Sequence, residues 1–293
     1  MRYDGRVALV TGAGRGLGRA YVEYLAARGA TVIVNNRVHA DRPSAAAAVA
    51  EAINRSGGTA VADEHSVESE AGSRAMIDAA YARFGRLDIL VANAAIGLPR
   101  APFEDIPVAL HREAMEINYW GSFYPVHAAF SRMKQAGYGR VVFSTSTVGC
   151  FGQAGLTAYA ATKSAVLGLA RSLAQETAGL DLKFNLISPF AVTGEAVERL
   201  VRPELRPMMS SQRVAPMLGW LCSEQCTQTG MIFYAGGGRY RRHVMAEGPR
   251  VDFEGDDLSP VIGRIADLST IEAPKHSGAV GARLVPELVE PKR

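Results

Sequence analysis

Arg6-Val7-Ala8-Leu9-Val10-Thr11-Gly12-Ala13-Gly14-Arg15-Gly16-Leu17-Gly18 is the stretch whose reading decides the fold of this chain. Its first part, Arg6 to Thr11, is short, apolar and ended by glycine, and reads as a buried strand. A helical pattern opens directly after the glycines and runs through Tyr21, Leu25 and Ala26 to Gly29. A strand, a glycine-rich turn and a helix start together make a phosphate cradle. Glycine lets the backbone turn tightly and approach a pyrophosphate, while free N–H groups and the helix dipole attract its charge. Gly12, Arg15, Gly16, Leu17 and Gly18 are the first candidate cofactor-binding residues. A lone glycine motif matches often by accident; its place after a strand and before a helix makes it informative.

Outward from this stretch, apolar strand-like runs alternate with helical ones. Strands are expected at 30–36, 59–62, 87–92, 140–146, 183–188 and 231–234, and helices at 43–56, 68–84, 107–136, 157–177 and 214–222. Such alternation predicts an α/β fold: a doubly wound parallel sheet of about seven strands with helices on both faces, binding ligands beyond the strands' carboxyl ends. One domain over 1–240 is expected, in which 195–212, with Pro203, Pro207, Met208 and Met209, has the character of a mobile substrate lid. A polar, turn-rich tail over 241–293 is read either as disordered or as lying across a neighbouring subunit.

The strand ends supply the remaining candidates. The second strand runs into Asn36 and Arg37, where such a fold reads the adenosine ribose. A carboxylate there would accept bonds from both ribose hydroxyls and repel a 2′-phosphate. Asn36 and Arg37 remove that repulsion, and Arg15 adds charge, so NADP(H) is slightly favoured; either arginine also reads as a solvated surface charge. Ser66 and Val67 are expected beside the adenine, Asn93 and Ala94 at the height of the cofactor, and Pro189, Ala191, Val192, Thr193 and Gly194 at its nicotinamide end. Asn118, inside an apolar helical stripe, is either a satisfied core amide or the mark of a local bend, with Pro125 a second source of distortion. Ser144-Thr145-Ser146 puts hydroxyls at a strand's carboxyl end. Tyr159 and Lys163 stand four apart on one helix face. An ammonium near a phenol lowers its pKa from about 10, which makes Tyr159 a candidate general acid/base.

Composition narrows the classes further. The 293 residues are 48% hydrophobic and 21% charged with a formal net charge of +3, ordinary for a globular enzyme and without a basic block for nucleic acid. No apolar run approaches the roughly 18 residues that cross a bilayer, and no signal peptide is read at the start. Cys150, Cys222 and Cys226 suit a reducing cytoplasm rather than a disulfide framework, and neither they nor the scattered histidines suggest a metal site.

Together the residues resemble the short-chain dehydrogenase/reductase family over roughly 5–240. Thr11-Gly12, Gly16 and Gly18 match its glycine spacing, and its catalytic tetrad maps onto Asn118, Ser146, Tyr159 and Lys163, with Ser146 standing thirteen before Tyr159 (159 − 146). A closer resemblance, on Arg2 to Val7, Gly14 to Tyr21 and Val214 to Cys222, is to the dehydrogenase part of the peroxisomal multifunctional enzymes of type 2 and their bacterial relatives. The resemblance implies a Rossmann-type fold and an NAD(P)-dependent oxidoreductase that interconverts a secondary alcohol and a ketone. The substrate it implies is a 3-hydroxyacyl-CoA or another apolar, steroid-like alcohol. It points to NAD, although those enzymes carry Asp where this chain has Asn36. In the implied mechanism Tyr159 exchanges the proton, Ser146 holds the oxygen, Lys163 holds the ribose and lowers the Tyr159 pKa, and Asn118 positions a water. A homodimer, within a tetramer, is expected through the 107–136 and Tyr159 helices. The competing readings are a non-catalytic cofactor sensor or scaffold and a lyase or epimerase on the same fold.

Overall fold

The computed structural model describes residues 1–38, 41–194, 198, 201–252, 254, 259–267 and 269. The strands are β1 (Val7–Val10), β2 (Thr31–Asn35), β3 (Thr59–Asp63), β4 (Ile89–Ala92), β5 (Tyr138–Ser144), β6 (Asp181–Phe190), β7 (Ile232–Gly236) and β8 (Arg239–His243). They form one sheet in the order β3-β2-β1-β4-β5-β6-β7-β8, parallel at every pairing from β3 to β7. β1 pairs with both β2 and β4, so the winding reverses there, and ligands in such sheets bind at this reversal.

The central strands are apolar along their whole length because helices cover both faces. On one face α1 (Gly16–Ala26) and α2 (Ala45–Arg55) pack Tyr21, Leu25 and Val49 into a common core with Val10 and Val34. On the other, α3 (Glu70–Phe84) packs Met76 and Ile77 into a core with Leu9 and Leu90. That second core also holds Val126 and Ala129 of α5 (Gly121–Gln135), which follows α4 (Val108–Ala114). Beyond β5, a one-turn helix α6 (Thr147–Phe151) leads into α7 (Thr157–Glu176), and α8 (Ala215–Cys222) returns to the first core with Leu218 and Leu221. Ser44 and Ser69 cap α2 and α3 by accepting from the N–H of Ala47 and Gly72.

Four local expectations change. The 107–136 helix is not one α-helix: Met115–Trp120 is a π turn joining α4 to α5, one turn before Pro125 rather than at it. β5 stops at Ser144, so Ser146 is the N-cap of α6 instead of a strand residue. β6 runs through Pro189 to Phe190, with Pro189 registered against Ala235. Leu186 donates its N–H to Met231 on the β7 side and Thr145 donates to Ile187 on the β5 side. Alternation then turns the Pro189 nitrogen toward β5, which has already ended, and no ladder bond is lost. The eighth strand was not expected: Gly237 and Gly238, at φ of 59° and 74°, make a two-residue reversal into it.

By compactness the chain divides into Met1–Arg242 and His243–Arg293. In the second unit α9 (Ile262–Ile265) is a single turn, and residues 270–293 of the expected tail lie outside the described residues. Of the expected lid, 195–197, 199 and 200 also lie outside them, while Pro203–Met209 and Ser211–Arg213 are 3₁₀ turns. Among the described residues no helix is long and apolar enough to cross a membrane, and no cluster of His, Cys, Asp or Glu suits a metal ion.

α6 and α7 touch backbone to backbone at Gly149. A Cβ there would stand 2.6 Å from the Lys163 Cβ and 2.7 Å from its carbonyl carbon. Gly149→Ala is expected to destabilise the chain by about 1–3 kcal/mol, the usual scale for overpacking. The measurement is a lower urea midpoint at unchanged slope; an unchanged midpoint would mean that α6 slides freely over α7.

Candidate active site

The glycine loop is shaped by approaches that only glycine permits. Gly12 and Gly16 have φ of 64° and 57°, and a Cβ on Gly12 would fall 2.8 Å from the Ala94 Cα. A Cβ on Gly18 would fall 2.4 Å from the Gly12 carbonyl oxygen. Arg15 precedes α1 in an extended conformation and its side chain does not cap the helix, which leaves the first-turn N–H groups without a side-chain acceptor. Closely folded glycines below an uncapped helix of eleven residues fit a dinucleotide diphosphate.

Asn93 and Ala94 anchor this loop. The Thr11 hydroxyl accepts from both of their N–H groups at 3.0 Å. The Asn93 amide donates to the Thr11 carbonyl at 2.9 Å and accepts from the Ser144 hydroxyl at 3.3 Å. Asn93 therefore ties the ends of β1, β4 and β5 together. Across the loop, Thr193 lies 3.5 Å from the position of a Cβ on Gly16, and the Val192 N–H donates to the Met209 carbonyl at 2.7 Å. The 191–194 segment thus bridges the glycine loop to the methionines, with Ala191 buried and Gly194 exposed at its end.

At the adenosine corner, Asn36 rests against the loop: a Cβ on Gly14 would meet its Cγ at 2.9 Å. Arg37 forms an ion pair with Glu68, while Arg15 is exposed. The Ser66 hydroxyl accepts from the Glu68 N–H at 3.2 Å. Val67 is buried, and its methyl lies 3.0 Å from a Cβ position on Gly121, so its side chain serves the core. Below them the Asn35 amide donates to Asp63 at 2.6 Å and to the His65 carbonyl at 2.9 Å.

The four tetrad candidates meet at the carboxyl ends of β4 and β5. The Ser146 hydroxyl accepts from the Val148 N–H at 3.1 Å and stands beside the Tyr159 hydroxyl, where it favours the ionised phenol. Lys163 is 2% exposed; its Nζ donates to the Ser144 carbonyl at 2.8 Å and lies 5.8 Å from the Tyr159 ring centroid. Asn118 is wholly buried in the π turn. Its Oδ1 accepts from the Ile96 N–H at 2.8 Å, and its Nδ2 donates to the Ile96 carbonyl and, at 3.3 Å, to Thr162. Both readings of Asn118 hold: it is a satisfied core amide, and it marks a bend.

Burial sets the ionisation of this group. It pushes the Tyr159 hydroxyl up from its ordinary value, and the Ser146 bond pulls only part of the way back. It pushes Lys163 down to about 8. The expected depression of Tyr159 by Lys163 is thus not the balance struck here: desolvation acts most strongly on the phenol, and the ammonium is turned to Ser144.

Several residues of the site carried no role in the sequence. Thr11 holds the loop, Thr162 joins Asn118 to the Tyr159 carbonyl at 2.9 Å, and Thr145 donates to the Lys163 carbonyl at 2.8 Å. The run of hydroxyls at 144–146 was a signal for Thr145; nothing local marks Glu68 as the partner of Arg37.

A lysine with a folded pKa of about 8 and an unfolded value of 10.5 binds fewer protons folded than unfolded between those limits. Its contribution to stability therefore rises with pH across that window. Without nucleotide, the native chain is expected to gain on the order of 2 kcal/mol over Lys163→Met as pH rises through it. Parallel stability–pH curves for the two proteins would exclude a buried, depressed Lys163.

The known proteins to which this chain is similar agree with this geometry. The short chain dehydrogenase family model matches residues 6–204. A short-chain type dehydrogenase/reductase of Mycobacterium tuberculosis is 33% identical over 93% of this chain and 97% of its own length. Mouse peroxisomal multifunctional enzyme type 2 is 40% identical over 81% of this chain, which spans only 32% of that longer protein. The solved structure of 7α-hydroxysteroid dehydrogenase with NADH and 7-oxo glycochenodeoxycholic acid superposes with a TM-score of 0.72 at 32% identity, over 81% of this chain and 95% of that one. With its glycine cradle and a serine, tyrosine and lysine at the carboxyl end of the sheet, this chain belongs to the short-chain dehydrogenase family, oxidoreductases that act on CH–OH groups.

Proposed function

We propose that the chain interconverts a secondary alcohol and a ketone on a 3-hydroxyacyl thioester of coenzyme A, with Tyr159 as acid/base. The observation that carries this is the Ser146–Tyr159 hydroxyl pair beside a buried lysine, at the strand ends next to the glycine cradle. A bound nicotinamide supplies the hydride acceptor or donor. Ser146 is held by the Val148 N–H beside Tyr159, so that both hydroxyls can face one substrate oxygen. Burial keeps Tyr159 protonated at rest, which suits delivery of a proton to a carbonyl. The Lys163 charge, 5.8 Å from the ring, then stabilises the phenolate left behind. Asn118 holds Ile96 and Thr162 in place, and the π turn loosens the backbone ladder where a water would carry the proton onward.

The thioester follows from the likeness to the dehydrogenase part of the mouse peroxisomal enzyme, and the apolar wall of Phe190, Met208 and Met209 suits an acyl chain. The 195–212 segment is read as the lid over it. The family uses NAD(P), and the Arg37–Glu68 ion pair supports a reading as NAD, since Glu68 neutralises the cation that a 2′-phosphate would recruit. A second copy would dock on α5 and the π turn before it, where Trp120 stacks on Tyr124 at 5.4 Å and Phe123 on His127 at 5.3 Å. The three free thiols suit the cytoplasm.

Tyr159→Phe is expected to lose at least ~10²-fold in kcat while still binding nucleotide, the usual scale for a positioned acid/base. Retained turnover would remove Tyr159 from the chemistry. Glu68→Gln is expected to free Arg37 and narrow the preference for NAD over NADP about tenfold, as one charge-assisted hydrogen bond would. An unchanged ratio of the two affinities would show that this corner does not set the choice.

A further inference from the structure

The turn at Gly237-Gly238 carries a cluster of cations that the chemistry at Tyr159 does not use. Arg213, Arg239, Arg241 and Arg242 surround it, and among the described residues none of the four has a carboxylate partner. The preceding arginines differ: Arg202 pairs with Glu204, and Arg206 with Glu198 at 2.7 Å. The whole chain carries a net charge of only +3, and this lip alone holds four arginines.

Two of these side chains are held rather than loose, those of Arg213 and Arg241. A Cβ on Gly238 would lie 3.2 Å from Arg213 Nη1, so that guanidinium rests on the turn itself. The Tyr240 hydroxyl donates to the Arg213 carbonyl at 3.0 Å, which fastens that residue to β8. In a two-residue hairpin Arg241 stands opposite Tyr234, and its guanidinium lies 5.4 Å from that ring centroid.

The lip also continues the site. A Cβ on Gly237 would meet Met209 Cε at 3.1 Å, and one on Gly236 would meet the Phe190 Cβ at 2.9 Å. Met209 in turn accepts from Val192, in the segment that reaches the glycine loop. From the reacting hydroxyls outward the order is polar centre, apolar wall, unpaired guanidinium groups. Charges on an edge strand also guard it against pairing with another sheet. That role accounts for charge on β8, but not for Arg213 on a separate turn or for Arg241 stacked on a ring.

We infer that Arg213, Arg239 and Arg241 form a subsite for the phosphate groups at the far end of the substrate, those of a coenzyme A thioester. A guanidinium fork matches phosphate oxygens in geometry and keeps its charge at every working pH. The subsite rests on the thioester reading of the reaction, and its test separates the two.

The triple variant Arg213→Gln/Arg239→Gln/Arg241→Gln is compared with the native chain by calorimetric titration with free coenzyme A in saturating NAD, which needs no turnover. Binding is expected to weaken at least tenfold in the variant, and binding in the native chain to weaken with added salt. In kinetics, the ratio of kcat/KM for a 3-hydroxyacyl-CoA to that for its phosphate-free N-acetylcysteamine thioester is expected to fall by a similar factor. Equal coenzyme A affinity in the two proteins, or an unchanged ratio, overturns the subsite. Coenzyme A binding that depends on the arginines, without oxidation of either thioester, supports the subsite and overturns the reading of the reaction.

Discussion

The buried Lys163 ammonium donates to the backbone carbonyl of Ser144, and the carboxyl end of the sheet is arranged around that contact. A buried ammonium is tolerated only where its hydrogen bonds are fixed in advance. Thr145 fixes one side by donating to the Lys163 carbonyl, and Ser164 fixes the other by donating to the Gly149 carbonyl at 2.7 Å. Gly149 has no side chain because α6 needs that contact distance. The same docking sets Tyr159, one helical turn earlier, against Ser146 at the N-cap of α6. One packing contact therefore positions three of the four groups of the tetrad.

Burial then acts on both titrating groups in the same chemical sense. It raises the phenol and lowers the ammonium, so each is biased toward its neutral form. The two start with nearly equal proton affinities and burial moves them apart, so the phenol holds its proton more tightly than the ammonium does. Ser146 tilts the balance back by favouring the ionised phenol without adding a charge. The site is poised by desolvation first and by hydrogen bonding second.

Much of this was legible because the residues that make it obey local rules. β1 and β4 are short apolar runs, the glycine loop opens a helix, and a spacing of four sets Tyr159 over Lys163. What escaped is decided by partners remote in sequence. β8 has no apolar alternation, since an edge strand under no helix needs none, and only two left-handed glycines betray it. Pro189 looked like a strand end, yet its nitrogen faces a side where the neighbouring strand has stopped. Asn118 offered a choice between core amide and bend, and the π turn makes both true. For Tyr159, a spacing of four reveals a neighbour's charge and says nothing of how much water burial removes.

The arginines make the same point at the two ends of the bound substrate and cofactor. Arg37 stands where a phosphate would recruit it, and a glutamate 31 residues later in the chain takes it up instead (68 − 37). Arg241, on an exposed strand and with no carboxylate partner among the described residues, lies 5.4 Å from a tyrosine ring centroid. The residue type is identical and the local sequence is polar in both cases. The difference lies in whether the fold delivers a carboxylate, because a paired guanidinium must first give up its partner before it meets a phosphate. On the proposed reading, selectivity for the anionic parts of two ligands is written less in the cations themselves than in the placement of the few acids that silence them.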